Sequence, residues 1–169
     1  MTDAARERVI RWEEPVAAAQ AARTMSGLEA LRAIRDGGVS QPPIAVLMNI
    51  WLTDIEEGRV VFEGDPAEYH YNPIGVVHGG FALTIADSAL GCAVHSMLPA
   101  GVGYTSTDIQ LRYIRAITKD TGRVRCEART LHVGRTTGVS EARLTDANGK
   151  LLATATMACA IFRPAPTPG

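Results

Sequence analysis

The segment that most constrains the fold is a run of helix-compatible residues from Gly80 to Met97, bounded by Pro99 and Gly101. Apolar side chains occur on nearly every side of the helix that this run would form, which predicts a helix buried all round. Polar residues interrupt it too often for a membrane span. One of them, Asp87, is a carboxylate in an apolar setting, where burial is costly unless the group is paired or used in function.

Size and composition exclude several classes of protein. The 169 residues are enough for one domain with a real core, and 46% hydrophobic with 21% charged residues is ordinary for a globular protein. A net charge of -1 without a basic cluster argues against a nucleic-acid partner. The three cysteines are widely spaced, which indicates reduced thiols and no metal site. The N-terminus lacks an apolar signal core, so we predict a cytoplasmic protein without a membrane partner.

The chain divides into an N-terminal helical extension (1–40), a main domain (41–163) and a disordered tail (164–169). In the extension we predict one helix from Asp3 to about Trp12 and a second that starts at Pro15. Ser26 and Glu29 have the spacing of a capping box, which predicts a third helix ended by Gly37 and Gly38.

Most of the remaining chain has the alternation of β-strands. Strands are predicted from about Asn49 and over Arg59–Gly64, Thr105–Arg115, Val124–Val133, Thr136–Thr145 and Leu151–Phe162. In Thr105–Arg115, strict alternation places Ile109 on one face and Ser106 on the other. A single helix is apolar all round only if it is wrapped. We therefore predict an α+β fold, in which a curved antiparallel sheet surrounds the helix and a second copy closes it.

The helix also carries the candidate chemistry. Asp87 has the character of a general base or a nucleophile. The free N–H groups of Gly79 and Gly80 at the helix N-terminus suit a developing oxyanion. From His78 to Asp87 there are nine positions, roughly 13 Å along the axis. The two ends of the helix therefore cannot act on one carbonyl within one chain, which predicts a site shared across a symmetric dimer.

The spacing of these residues resembles the hotdog-fold acyl-CoA thioesterases, and most closely the PaaI-like (phenylacetyl-CoA thioesterase) group. The resemblance spans about Ser26 to Phe162, so the first 25 residues depart from the pattern. It rests on Asn72, then His78-Gly79-Gly80 six residues on, then Asp87, Ser106-Thr107-Asp108 and Tyr113-Ile114-Arg115.

The resemblance implies a role for each catalytic candidate. Asp87 would activate the hydrolytic water or attack the thioester, and the Gly79 N–H would polarise the carbonyl. Asn72 would position the water or the carbonyl, and His78 would order the loop. A hydroxyl on the strand after the helix would assist from across the interface; Ser106 fits best, with Thr105 next.

The resemblance further implies a coenzyme A site on a dimer of dimers. The reaction would hydrolyse a small or medium acyl- or aryl-CoA to the acid and coenzyme A, without a metal or cofactor beyond the substrate's own coenzyme A. The implied substrate and coenzyme A residues are Gly80, Thr105, Gly134, Arg135 and Thr136. Arg112 and Arg115 are further candidates for phosphate ligands, because arginine binds phosphate well.

Two other functions remain open on this fold. An enoyl-CoA hydratase would place a loop histidine beside an acid on the helix, usually with a proline before the helix glycine, where this chain has His-Gly-Gly. A non-catalytic acyl-CoA-binding protein would have no use for a base such as Asp87 at the thioester.

Overall fold

A computed structural model describes residues 5–163. Residues 1–4 and the predicted disordered tail 164–169 lie outside the described range. Within it the chain forms four α-helices and six strands. The helices are α1 (Pro15–Ala22), α2 (Gly27–Arg35), α3 (Pro43–Met48) and α4 (Gly79–His95). The strands are β1 (Ile50–Glu56), β2 (Arg59–Gly64), β3 (Gly103–Tyr113), β4 (Val124–Val133), β5 (Thr137–Asp146) and β6 (Leu151–Phe162).

The strands form one antiparallel sheet in the order β1-β2-β4-β5-β6-β3, which confirms the predicted α+β architecture. Helix α4 packs against the inner face of this sheet. Its contact residues are small or branched, including Ile85, Ala89 and Ala93, and all three are fully buried. Ala128 and Ala153 oppose them from β4 and β6. Small side chains on both surfaces let helix and sheet approach closely, which makes α4 the centre of the core.

One stripe of α4 is left uncovered, contrary to the prediction of burial on all sides. Leu83 and Asp87 are exposed, and Thr84 and Ser88 are half-buried. These positions lie three or four residues apart, so they share one face of the helix. The sheet and α2 account for the rest of the helix surface. The sequence analysis predicted that a second copy of the chain closes the fold, without naming the surface that this copy would cover.

The two edges of the sheet differ. Helices α2 and α3 contact edge strand β1. Edge strand β3 is eleven residues long and largely exposed. A long uncovered edge offers unpaired backbone groups to another strand. Within residues 5–163, no helix is long and apolar enough to cross a membrane.

The N-terminal segment is only partly helical. The helix start at Pro15 and the capping box of Ser26 and Glu29 are confirmed. The helix predicted from Asp3 to about Trp12 is wrong over residues 5–12, which have no regular structure. Arg8 instead donates to the carbonyls of Val46 and Leu47 at 2.9 and 2.8 Å, and its guanidinium lies 4.1 Å from the Tyr69 ring centroid. These contacts to distant parts of the chain hold the segment in a non-helical path.

Candidate active site

Asp87 lies on the exposed stripe of α4 beside β3. Its carboxylate accepts a hydrogen bond from the Ser106 hydroxyl at 3.0 Å. Ser106 also lies 3.5 Å from the sulfur of Met157, so its side chain points towards the inner face of the sheet. The sequence analysis implied that Ser106 assists from across an interface. The structure brings Ser106 and Asp87 together within one chain.

A β-bulge explains why Ser106 reaches Asp87. The register between β3 and β6 shifts between Ser106 and Asp108, so Thr107 is an extra residue in β3. Its hydroxyl donates to the Ala158 carbonyl at 3.0 Å, which gives the bulge a local partner. The bulge places Ser106 on the same face as Ile109, which packs against the core. The prediction that these two residues lie on opposite faces is therefore wrong.

A cavity of about 240 Å³ opens beside Asp87 and is lined mainly by apolar side chains. Its walls come from α2, the start of α3, β1, β2, α4 and β3. The lining residues are Leu31, Ile34, Gln41, Pro42, Ile44, Ala45, Trp51, Leu52, Phe62, Asp87, Ser88, Gly91, Cys92, Tyr104 and Ser106. The carboxylate of Asp87 therefore stands at the border between an apolar chamber and the exposed edge of the subunit.

The N-terminus of α4 is organised by His78. This residue is the N-cap, and its Nδ1 accepts the Gly80 N–H at 2.9 Å. The expectation that both Gly79 and Gly80 present free N–H groups is therefore corrected, because the Gly80 donor is taken. Among the hydrogen bonds found within residues 5–163, none uses the Gly79 N–H. Of the two N–H groups, the one at Gly79 is therefore the one left without a partner among the described residues.

Tyr113 of β3 packs directly on Gly79. Its hydroxyl donates to the Gly79 carbonyl at 3.1 Å. A Cβ added at Gly79 would lie 2.6 Å from that hydroxyl oxygen, so the contact in this form has room only for a glycine unless the Tyr113 side chain shifts. The Gly79–Gly80 peptide is thus held on both sides, by Tyr113 at its carbonyl and by His78 at its N–H. Sequence reasoning quoted Tyr113 within the motif but assigned it no function.

A second cavity, of about 370 Å³, opens at this end of the helix. His78, Gly79, Tyr113 and Arg115 line it, together with residues from the ends of β3 and β6. The Arg115 guanidinium donates to the Leu151 carbonyl, which holds it at the rim. Arg115 is therefore the predicted phosphate ligand that lies beside the predicted oxyanion donor.

Asn72 shapes the loop that leads into α4. Its side-chain oxygen accepts the N–H groups of Ile74 and Val76 at 3.1 and 3.3 Å, as in an Asx turn. A bridge between Tyr71 and Val77 closes the loop behind it. Because that oxygen is occupied, the amide NH₂ is the part of Asn72 left to contact a water or a substrate.

The two cavities lie at different positions along α4. The helix is continuous from Gly79 to Asp87, eight positions, which corresponds to about 12 Å along its axis. In the part of the chain that the structure describes, the two cavities have no lining residue in common. Within one chain, Asp87 and Gly79 thus lie at two separate cavities.

The other predicted site residues lie away from both cavities. Thr105 and Arg112 are exposed, and Arg112 lines a shallow groove with Arg143 and Thr154 on the outer face of the sheet. Gly134, Arg135 and Thr136 form the turn between β4 and β5. The Arg135 carbonyl accepts from Arg163 at 3.2 Å and the Thr136 carbonyl accepts from Ile161 at 2.9 Å. Within residues 5–163, none of these five residues lines the cavity at Asp87 or the cavity at Gly79.

The architecture, one long helix wrapped by a six-stranded antiparallel sheet, is the hotdog fold. Residues 74–153, which run from the loop before α4 into β6, match the family described as Thioesterase superfamily. The chain has the hotdog fold, and this central segment is similar to the thioesterase superfamily, a family of thioester hydrolases.

Three known proteins illustrate the relationship. The chain is 27% identical over 106 residues to a 1,4-dihydroxy-2-naphthoyl-CoA hydrolase of Listeria monocytogenes. The aligned residues are 62% of this chain and 84% of that protein. The E. coli PaaI protein from the phenylacetic acid degradation operon has a TM-score of 0.70 at 20% identity, over 84% of this chain and 96% of that one. A Streptococcus mutans protein (smu.793), whose structure was solved with acetyl CoA bound, has a TM-score of 0.62 at 23% identity. The match covers 70% of this chain and 92% of that chain. The two structural matches support the fold.

Proposed function

We propose that the protein hydrolyses the thioester of a small or medium acyl- or aryl-CoA, at a site that two copies of the chain form together. The observation that carries this is the placement of Asp87. Its carboxylate is hydrogen-bonded by Ser106, borders an apolar cavity and is accessible at an uncovered edge of the subunit. The name of the Listeria relative supports a coenzyme A thioester as the substrate.

The chemistry follows from the two halves of the site. Asp87 takes a proton from water, whose oxygen attacks the thioester carbonyl carbon. The carbonyl oxygen becomes an oxyanion, which the Gly79 N–H and the positive end of α4 stabilise. When the intermediate collapses, the C–S bond breaks and the coenzyme A thiolate leaves, taking the proton from Asp87. Direct attack by Asp87 is the alternative: the C–S bond breaks, the coenzyme A thiolate leaves and a mixed anhydride forms. Water that opens the anhydride at the Asp87 carbon would leave ¹⁸O from labelled water in Asp87 after a single turnover.

Strand β3 offers a way for the two halves of the proposed site to meet. Along this strand, Ser106 lies by Asp87 and Tyr113 lies by Gly79. An antiparallel pairing of two β3 edges, about a two-fold axis near the middle of the strand, would bring the Asp87 half of one copy to the Gly79 half of the other. The same pairing would cover the exposed stripe of α4. A dimer of dimers and a cytoplasmic location belong to this proposal.

The proposal is tested by thiol release from the purified protein with acetyl-, hexanoyl- and phenylacetyl-CoA. We expect turnover of at least one of these thioesters. Hydration of crotonyl-CoA without thiol release would identify an enoyl-CoA hydratase instead. Tight binding of an acyl-CoA without any turnover would identify a non-catalytic acyl-CoA-binding protein.

Tyr113 is predicted to be a positioning residue for the oxyanion donor. Tyr113→Phe keeps the ring on Gly79 but removes the hydrogen bond to its carbonyl, so the neighbouring Gly79 N–H loses part of its fixed orientation. We expect kcat to fall about tenfold with little change in KM, since a complete oxyanion donor contributes more. Tyr69→Phe is the control, because Tyr69 is comparably exposed (51% against 59%). A change in KM alone would contradict this role.

A further inference from the structure

The cavity at Asp87 has a wall that lies outside the matched family segment. Residues 74–153 carry the family match, yet Leu31 and Ile34 of α2 and Ile44 of α3 line the cavity. The N-terminal part of the chain therefore completes a chamber whose reactive carboxylate comes from α4.

The position of this wall is firmly set. The Gly27 N–H at the start of α2 donates to the Leu98 carbonyl at 2.9 Å. A Cβ added at Gly27 would lie 1.7 Å from the His95 carbonyl oxygen, so the start of α2 is in direct contact with the end of α4. The capping box at Ser26 fixes the same end, and Leu31 is buried in the core. Helix α2 is thus anchored to the helix that carries Asp87.

The chemistry of the chamber selects uncharged groups. Among the fifteen described residues that line it, Asp87 is the one with a carboxyl group. Burial raises the pKa of the Cys92 thiol to about 12 and also raises the pKa of the Tyr104 phenol. Both groups are therefore neutral at ordinary pH. An acyl group with a terminal carboxylate would meet apolar side chains and the negative charge of Asp87, so it would be disfavoured.

The size of the chamber limits the acyl group. Its volume is about 240 Å³, and an apolar cavity of about 150 Å³ is sufficient for benzene. One six-membered ring with a short link to the thioester fits, as does a short alkyl chain. A long fatty-acyl chain exceeds the space.

We propose that this chamber binds the acyl part of the substrate and that Ile34 and Ile44 limit the size of the group it accepts. This inference rests on the proposed thioesterase function, because the thioester must lie at Asp87. It identifies the N-terminal helices as the part of the chain that determines specificity for compact, uncharged acyl groups.

Helix α3 offers a matched pair of test positions. Ile44 and Leu47 are equally exposed (47% and 48%), and within residues 5–163 only Ile44 of the two lines the chamber. We expect Ile44→Trp to lower kcat/KM for phenylacetyl-CoA relative to acetyl-CoA about tenfold or more, since small changes in pocket size have effects of that order. Leu47→Trp should leave the ratio unchanged.

A second variant enlarges the chamber. Ile34→Ala combined with Ile44→Ala should raise kcat/KM for decanoyl-CoA relative to hexanoyl-CoA about tenfold, with Leu47→Ala as the control. If both sets of variants turn over acyl-CoA with the wild-type ratios, the inference is wrong although the thioesterase function stands. If the wild-type protein hydrolyses none of these thioesters, the proposed function fails and this inference fails with it.

Discussion

Replacing Asp87 by asparagine is expected to reduce kcat for thioester hydrolysis about 10³-fold, with little change in KM. The amide has nearly the shape of the carboxylate and still accepts the Ser106 hydroxyl, whose oxygen lies 3.0 Å from the Asp87 carboxylate in the native chain. It cannot take a proton from water, nor attack a carbonyl. Because Asp87 is exposed in the single chain, its loss should not affect folding of the subunit.

The measurement is steady-state thiol release from the thioester that the wild-type protein turns over fastest. Glu57→Gln is the matched control, because Glu57 is an exposed carboxylate in the turn between β1 and β2. It should retain the wild-type rate. Binding of the unreacted thioester to Asp87→Asn, followed by calorimetry, separates loss of chemistry from loss of the site. Retention of more than about a tenth of the activity by Asp87→Asn would falsify the assignment of Asp87 as base or nucleophile.

Mixed dimers are expected to recover activity from two inactive chains. One chain carries Asp87→Ala and the other carries Gly79→Ala, whose added methyl would lie 2.6 Å from the Tyr113 hydroxyl oxygen, so that the Tyr113 side chain or the Gly79 loop must shift. If each site combines Asp87 of one copy with Gly79 of the other, every mixed dimer contains one intact site and one doubly altered site. An equal mixture should recover about a quarter of the wild-type sites.

The experiment uses two affinity tags, so that mixed dimers are purified after co-expression and compared with each homodimer. Purified mixed dimers should show about half of the wild-type activity per dimer. Mixing Asp87→Ala with Asp87→Asn is the control and should recover none. If Asp87→Ala with Gly79→Ala also recovers nothing while the mixed dimers form, each site lies within one chain and the shared-site proposal is wrong.

Local patterns were sufficient to predict most of the secondary structure. Strands β2, β4 and β6 have the predicted bounds, because alternation and flanking turns are properties of adjacent residues. Helix α4 begins one residue before the predicted start and ends two before the predicted end. The resemblance to the hotdog-fold thioesterases could also be seen from the spacing of its motif residues, since they fall within one loop, one helix and one strand. Two of the failures, at residues 5–12 and at the face of Ser106, involve contacts with distant parts of the chain.

Those failures have a common physical cause. The bulge at Thr107 depends on how β3 pairs with β6, and its partner carbonyl belongs to Ala158. The path of residues 5–12 depends on the carbonyls at the end of α3 and on Tyr69. Neither partner is near in sequence, so no local periodicity reports on the contact.

The apolar helix with its single carboxylate, the His-Gly-Gly turn before it and the β-rich remainder were determined by the sequence alone, because amphipathic periodicity and turn chemistry act between neighbouring residues. Only the tertiary structure decided that Asp87 is exposed on one stripe of α4, that Ser106 reaches it, and that α2 and α3 wall its cavity. These features depend on which surfaces the folded chain covers and which it leaves open, and that balance is set by packing between elements far apart in the sequence.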